Sequence, residues 1–268
     1  MPITAFDRTA ALAAIDDVAT RLVAMVTTAA DTTVRVPATP QWTVAEAFAH
    51  VATVVPRYSQ GARHEGEWVD RAGNLADLNA RQLSGLPTIE VAATADRLLA
   101  WLGDVRELIA GFGDQQPVYR FHGGQKVAAD VALGILLGEL VVHGHDIAAA
   151  VGREWPISPL HVEWIMKGIT PILPGWLDPF RARGHTGRYE VRLRGQGVHR
   201  FAFNQGKLTM NPLGPFRPDV VISADPATFL LIVYKRIRQW PAILSGRLVA
   251  FGRRPLLALT FAGRFHQP

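Results

Sequence analysis

The sequence predicts an α+β protein in which a helical bundle is followed by a small α/β part. Long segments with apolar residues at helical spacing occupy the first two thirds of the 268 residues, which is the pattern of amphipathic helices. After about residue 184 the pattern changes to an alternation with period two, as β-strands require. We therefore predict two domains, 1–184 and 185–268, each long enough to fold around its own core.

Three long helices and one short helix are predicted before residue 113. The first covers residues 4–30, where apolar side chains recur every three or four positions. The second begins at Thr43, because Thr43 and Glu46 have the spacing of a capping box. A short helix around residues 77–79 precedes a third long helix, which Thr88 is predicted to cap. A fourth long helix follows after residue 113. A helical bundle is the simplest architecture for four long helices.

The fourth long helix, from about residue 127 to Gly152, carries the most informative side chains. Residues 131–142 are apolar on nearly every side of the helix, which predicts burial. Glu139 interrupts this run, and His143 lies one turn further along the same face. Because a buried carboxylate must be paired, neutralised or bound to a metal, we interpret the two residues as ligands of a buried divalent metal. The alternative is an ordinary helix-surface contact.

A third metal ligand is expected from the second helix, where His50 lies at the edge of the apolar face. Two imidazoles and one carboxylate with an open position are typical of a catalytic zinc site, although other divalent metals accept similar ligands. His50 could instead be a half-buried core histidine. Asp146 could hydrogen-bond a ligand imidazole or lie at the helix surface.

The remaining histidines are expected mostly in loops or on exposed faces, where solvation is the default. These are His64, His122, His161, His185, His199 and His266.

Residues 185–268 predict a sheet with a few helices. Residues 189–194 and 199–203 alternate as strands around a glycine-containing turn, which indicates a hairpin. Two shorter strands are expected at 207–210 and 220–223. Helical segments are expected from Asp225 to about residue 236, over 240–244 and over 255–261.

Composition narrows the classes of function. The chain has no cysteine, which excludes disulfides, thiolate metal sites and a cysteine nucleophile; any thiol chemistry must use a thiol on a small molecule. The net charge of +5 comes mostly from scattered arginines, without the basic stripe of a nucleic-acid-binding protein. We expect no nucleic-acid partner.

A cytoplasmic, non-membrane location is expected. The amino terminus lacks a basic segment followed by an apolar run, so no signal peptide is predicted. The apolar segment at residues 131–142 is interrupted by Glu139, and no run is expected to span a bilayer.

Several motifs resemble the mycothiol-dependent maleylpyruvate isomerase family of DinB-like four-helix metalloproteins. They are residues 42–44 (WTV), 50–52 (HVA), Asp77 with Asn79, and 137–148 (LGELVVHGHDIA). Residues 223–230 (SADPATFL) and 244–248 (LSGRL) are similar to the sterol-carrier-like domain that follows the bundle in that family.

The resemblance implies a metal site formed by His50, Glu139 and His143, with a divalent metal, usually zinc, that activates the thiol of mycothiol. It also implies thiol S-transferase or cis–trans isomerase activity on a small electrophile. An arginine of the second domain is expected to bind the anionic substrate or product. Arg247 is our choice for this catalytic role, with Arg236 and Arg238 as alternatives.

Two other functions are compatible with the sequence. A metal-bound water could make the protein a hydrolase. The second domain could instead be a carrier without catalysis, holding an apolar ligand, unless the same residues simply form its core. The residues concerned are Phe201, Phe203, Phe229, Leu230 and Trp240.

Overall fold

The fold is known from a computed structural model, which describes residues 6–266. Four long helices form the first part: α1 (Arg8–Thr27), α2 (Val44–Val54), α5 (Val91–Gly111) and α6 (Ala129–Ala150). Shorter helices α3 (Pro56–Ala62), α4 (Leu75–Ser84) and α7 (Pro159–Ile169) accompany them. The predicted four-helix bundle is therefore present.

Helix α6 is the centre of the bundle. It packs against α1, α2 and α7, and most of its side chains are buried. By length and composition alone, α6 could cross a membrane. This differs from our expectation, which was based on the interruption of the apolar run by Glu139. However, 78% of the most apolar window of α6 is buried inside the protein. Its apolar surface is thus used for packing within the bundle.

Two short hairpins lie beside the helices. The first joins β1 (Arg35–Val36) to β2 (Thr39–Thr43), and sequence reasoning missed it. The second, predicted as a possible hairpin, joins β3 (Val118–Arg120) to β4 (Lys126–Ala128) in antiparallel register.

The second part contains a five-stranded sheet. Its strands are β5 (Gly187–Leu193), β6 (Val198–Asn204), β7 (Lys207–Met210), β8 (Val220–Ala224) and β9 (Leu248–Phe251). Their spatial order is β7-β6-β5-β8-β9, with β5 and β8 parallel and the other pairs antiparallel. The four predicted strands are confirmed, whereas β9 was not predicted. The division of the chain at residues 184 and 185 remains our proposal.

Helices α8 (Pro226–Val233) and α9 (Gln239–Leu244) connect β8 to β9. The Asp225 side chain accepts a hydrogen bond from the Thr228 amide and so caps α8, as predicted. Helix α8 packs against α7 of the bundle. This contact brings the chain that follows α8 close to the C-terminal half of α6.

One predicted cap is wrong. Helix α5 has Glu90 as its N-cap residue instead of Thr88, and its cap makes no side-chain hydrogen bond. The Thr88 hydroxyl accepts a hydrogen bond from the Glu90 amide and thereby stabilises the preceding turn.

Candidate metal centre and cavities

His50 is positioned by the start of helix α2. Thr43 and Glu46 form the predicted capping box, in which the Thr43 amide donates to the Glu46 carboxylate at 2.7 Å and the Glu46 amide donates to the Thr43 hydroxyl at 3.2 Å. The helix then presents His50, which is 2% exposed, towards α6. The Trp42 ring lies against the imidazole, with the ring centroids 4.5 Å apart.

Glu139 and His143 share one face of α6, as their spacing predicts. Nε2 of His143 lies 3.5 Å from Oε2 of Glu139, and the ring centroids of His143 and His50 are 5.0 Å apart. One ligand atom from each of the three residues lies within 4.8 Å of the others. The helices therefore bring the predicted ligands together at one point.

The donor set fits a divalent metal. Two ligand atoms on a tetrahedral zinc, each about 2.1 Å from the ion, are separated by about 3.4 Å. The observed 3.5 Å between His143 and Glu139 matches this separation. Nδ1 of His50 and Nδ1 of His143 are buried without a hydrogen-bond partner in the described structure.

The protonation states also suit metal binding. Burial lowers the pKa of His50 well below its usual value, and the neighbouring His143 adds to this effect, so the imidazole is neutral. Burial raises the pKa of Glu139, but His143, His50 and the charge of Arg57 outweigh burial and lower it to about 2. A neutral imidazole and an ionised carboxylate are the forms that bind metals.

Asp146 lies close to His143 but does not make the hydrogen bond that the sequence suggested. Oδ2 of Asp146 is 3.6 Å from Nδ1 of His143, which is too long for a hydrogen bond. The carboxylate is held instead by Arg236, whose Nε and Nη2 donate to it at distances of 2.8–3.0 Å. Burial raises the pKa of Asp146, but His145 and Arg236 together reverse the shift and lower it.

Sequence reasoning missed Arg57, which is 4% exposed. Its Nε donates to Oε1 of Gln82 at 2.9 Å, and its Nη2 donates to Asn79 and Gln82, both at 2.7 Å. A signal was available, because Arg57 follows His50 by seven residues and so lies on the same helical face. Pro56 obscured it, since α2 ends at Val54 and α3 begins at Pro56.

Two cavities meet at these residues and share Arg57, Leu75 and Glu139 in their walls. The outer cavity, about 480 Å³ in volume, is also lined by His50, His143 and Asn79. The inner cavity is smaller, about 60 Å³. Its other lining residues are Val54, Tyr58, Phe121, His122, Ile135, Ile169, Ile172, Trp176 and Tyr234.

The expectation that the remaining histidines are solvated is wrong for His122 and His199, which are 2% and 4% exposed. His122 follows β3 in a tight loop and packs on Trp68, with the ring centroids 5.0 Å apart. His199 lies on β6, where the inward face of the sheet buries it.

The positions of the three arginines considered for substrate binding differ from what the sequence predicted. Arg247 is exposed, donates to the Ser245 hydroxyl at 3.2 Å, and lines neither cavity. Arg238 is also exposed. Every nitrogen of the Arg236 guanidinium makes a hydrogen bond. Nε and Nη2 donate to Asp146, and Nη1 donates to the Tyr234 carbonyl. The catalytic role for Arg247 stays a prediction that no contact supports.

The residues proposed for an apolar carrier pocket are mostly core. Phe201, Phe203, Phe229 and Leu230 are at most 3% exposed, and Phe201 packs edge-on against Phe261. Trp240, in contrast, is 56% exposed. This arrangement favours the alternative that these residues form the core.

Comparisons with known proteins agree with this architecture. A family profile described as the mycothiol maleylpyruvate isomerase N-terminal domain matches residues 12–148. A search of curated proteins finds no match.

Among solved structures, the chain is similar to two of mycothiol-dependent maleylpyruvate isomerase. A histidine-to-alanine mutant aligns at 13% identity with a TM-score of 0.56, and the other structure at 14% with a TM-score of 0.55. Each alignment covers 91% of this chain and 92% of the other. At this identity the likeness shows a shared fold. The UbiJ-SCP2 ubiquinone synthesis protein aligns with 41% of this chain and 92% of its own, at 21% identity and a TM-score of 0.31.

Proposed function

Since the chain belongs to the mycothiol maleylpyruvate isomerase family, we propose that it is a metalloenzyme that uses mycothiol to transform a small electrophile. The observation that carries this proposal is the convergence of His50, Glu139 and His143 beside a cavity of about 480 Å³. Three protein ligands leave a coordination position free for a cosubstrate, as in catalytic sites. Zinc is the metal we expect.

Bound zinc would lower the pKa of a thiol and so supply a thiolate near neutral pH. The chain has no cysteine of its own, which agrees with a thiol that arrives on a small molecule. We place mycothiol in the outer cavity, because this cavity is the larger one and is lined by the polar residues Gln41 and Asn79. Trp42 covers one side of the His50 ring.

The first experiment is an assay of maleylpyruvate with mycothiol and zinc-loaded protein. We expect turnover that requires the thiol and that falls by about 100-fold or more in His143→Ala, because a missing ligand weakens metal binding. His64→Asn is the matched control, since His64 is exposed and its positive φ of 60° suits asparagine.

Three outcomes would contradict the proposal. Equal turnover without thiol would select the hydrolase alternative. Undiminished thiol-dependent turnover in both His143→Ala and Glu139→Gln would disprove the metal mechanism. A wild-type protein that binds no zinc after reconstitution would do the same.

The products decide between the two reaction types. If the thiol adds to a conjugated double bond and leaves after rotation, the product has the mass of the substrate and the thiol is recovered. If the adduct takes up a proton and is released, the product gains the mass of the thiol. Mass spectrometry with a series of electrophiles distinguishes isomerase from transferase activity.

A further inference from the structure

The inner cavity lies beside Glu139 and is lined mainly by apolar and aromatic side chains. Four polar side chains besides Glu139 reach its wall: Arg57, Tyr58, His122 and Tyr234. All four can donate hydrogen bonds. Among residues 6–266, Nη1 of Arg57, Nε2 of His122 and the two phenol hydroxyls have no hydrogen-bond acceptor.

His122 lines this cavity and carries an N–H group without a partner among the described residues. Nδ1 of His122 accepts a hydrogen bond from the Val69 amide at 3.2 Å, and this contact assigns the proton of the neutral ring to Nε2. Nε2 is buried and has no partner in the described structure. Burial and the charge of Arg57 lower the pKa of His122 to about 3, so the ring stays neutral and keeps this tautomer.

Arg57 presents a positive charge. Its Nε and Nη2 are held by Gln82 and Asn79, whereas Nη1 has no hydrogen bond within the described residues. No carboxylate oxygen of those residues lies within 4 Å of the guanidinium. The ionised Glu139 acts on this charge from a longer distance. The fixed orientation of Arg57 leaves one edge of the guanidinium available to a ligand.

The two phenols complete the set of donors. Burial and the nearby Glu139 raise the pKa of Tyr58 well above its usual value, and the same two causes raise the pKa of Tyr234. Both hydroxyls therefore remain protonated. The hydroxyls of Tyr58 and Tyr234 make no hydrogen bond within the structure described.

We propose that the inner cavity is a carboxylate-binding site, in which Arg57 and the Nε2–H of His122 bind the acid group of the electrophile. This assignment deepens the proposed function, and it names the ligand class as a compact monocarboxylate or half of a dicarboxylate. The size of the inner cavity supports this ligand class, because a volume of about 60 Å³ accommodates a group of only a few atoms. The apolar walls, including Ile135 and Trp176, suit a short hydrocarbon chain.

The test is calorimetric titration with crotonate, a four-carbon acid, and with crotonamide, its neutral counterpart. Neither probe requires thiol or turnover. We expect crotonate to bind at least about tenfold more tightly than crotonamide, because a charged hydrogen-bonded pair is worth more than a neutral one. Zinc-loaded and chelator-treated protein are both titrated, so that binding to the metal is separated from binding to Arg57.

Two variants address the two donors. Arg57→Gln is expected to weaken crotonate binding on the order of 10- to 100-fold and crotonamide binding by less than about threefold. His122→Asn keeps an acceptor for the Val69 amide but removes the Nε2–H, and we expect about a tenfold loss. Arg120→Gln is the matched control, because Arg120 is an exposed arginine paired with Asp70, and crotonate affinity should not change.

Equal affinities of wild-type protein for the acid and the amide would overturn the inference. So would crotonate binding that disappears on zinc removal and is unaffected by Arg57→Gln. If Arg57→Gln does not fold, the acid-to-amide ratio and His122→Asn still decide. Crotonate binding of the expected kind without thiol-dependent turnover would leave this site standing while the proposed activity fails.

Discussion

Three histidines, His50, His122 and His199, are almost completely buried, and each has a different environment. His50 lies beside the other two proposed metal ligands, His122 accepts a hydrogen bond from the Val69 amide, and His199 occupies an inward-facing position of β6. In all three, burial is the largest cause of a lowered pKa. A residue type alone therefore does not determine its role; the groups around it do.

His199 makes the stability of the protein depend on pH. Burial, with a smaller contribution from Lys167, lowers its pKa from 6.5 to about 4, so the folded state keeps the ring neutral where the unfolded chain takes up a proton. Stability is consequently lost as the pH falls from about 6.5 to about 4. For His199 alone, the free energy of unfolding falls by about 2 kcal/mol between pH 7 and pH 5.

We predict that His199→Gln reduces the fall in the free energy of unfolding between pH 7 and pH 5 by this amount, measured by urea unfolding at both pH values. His64→Asn, at an exposed histidine, should leave the fall unchanged. An identical pH dependence in wild type and His199→Gln would show that His199 is not the responsible group.

At the scale of elements, the packing of α6 on α7 depends on two glycines. A Cβ atom on Gly134 would lie 2.2 Å from the carbonyl oxygen of Trp164, and one on Gly168 would lie 2.6 Å from the backbone nitrogen of Ile135. The two backbones can approach this closely only where side chains are absent. Since α6 also carries Glu139 and His143, this contact helps to fix the position of two proposed metal ligands.

Gly134→Ala should lower the free energy of unfolding by about 2–3 kcal/mol, because the added methyl group must push two backbones apart. Chemical denaturation provides the measurement. Gly103→Ala in α5 is the matched control, since nothing lies within 4 Å of the new methyl group. That variant should gain up to about 1 kcal/mol from helix propensity, and a stabilised Gly134→Ala would contradict the close approach.

At the scale of the whole molecule, the pair of Asp146 and Arg236 joins the bundle to the sheet-containing part. The side chains are 1% and 8% exposed, and Asp146 belongs to α6 whereas Arg236 follows α8. A buried ion pair is costly to break from one side, because the remaining charge is left without a partner. The pair also holds Asp146 close to the proposed ligand His143.

Arg236→Leu is expected to lower the free energy of unfolding by about 3–5 kcal/mol and to weaken zinc binding by about 10- to 100-fold through the released Asp146. Urea unfolding and a competition titration for zinc measure the two effects. Arg253→Leu removes an arginine that is 72% exposed and paired with Asp219, so it should cost less than about 1 kcal/mol. Equal effects of the two variants would rule out a special role for the buried pair.

The sequence by itself determined most features that depend on neighbours along the chain. Helical periodicity predicts the four long helices, and the sequence predicts four of the five strands of the larger sheet but not the hairpin of β1 and β2. The capping box at Thr43 and the i, i+4 spacing of Glu139 and His143 are local patterns too. The short strand β9 escaped prediction, because it is held by pairing with the distant β8.

Only the tertiary structure decided which side chains meet. It placed Arg57 and His122 in the wall of one cavity, although they are far apart in the chain and belong to different elements. In the tertiary structure Arg236 forms an ion pair with Asp146, whereas Arg247 is exposed to solvent. Periodicity reports which face of an element is buried, whereas contacts between elements depend on how loops and crossing helices orient those faces in space.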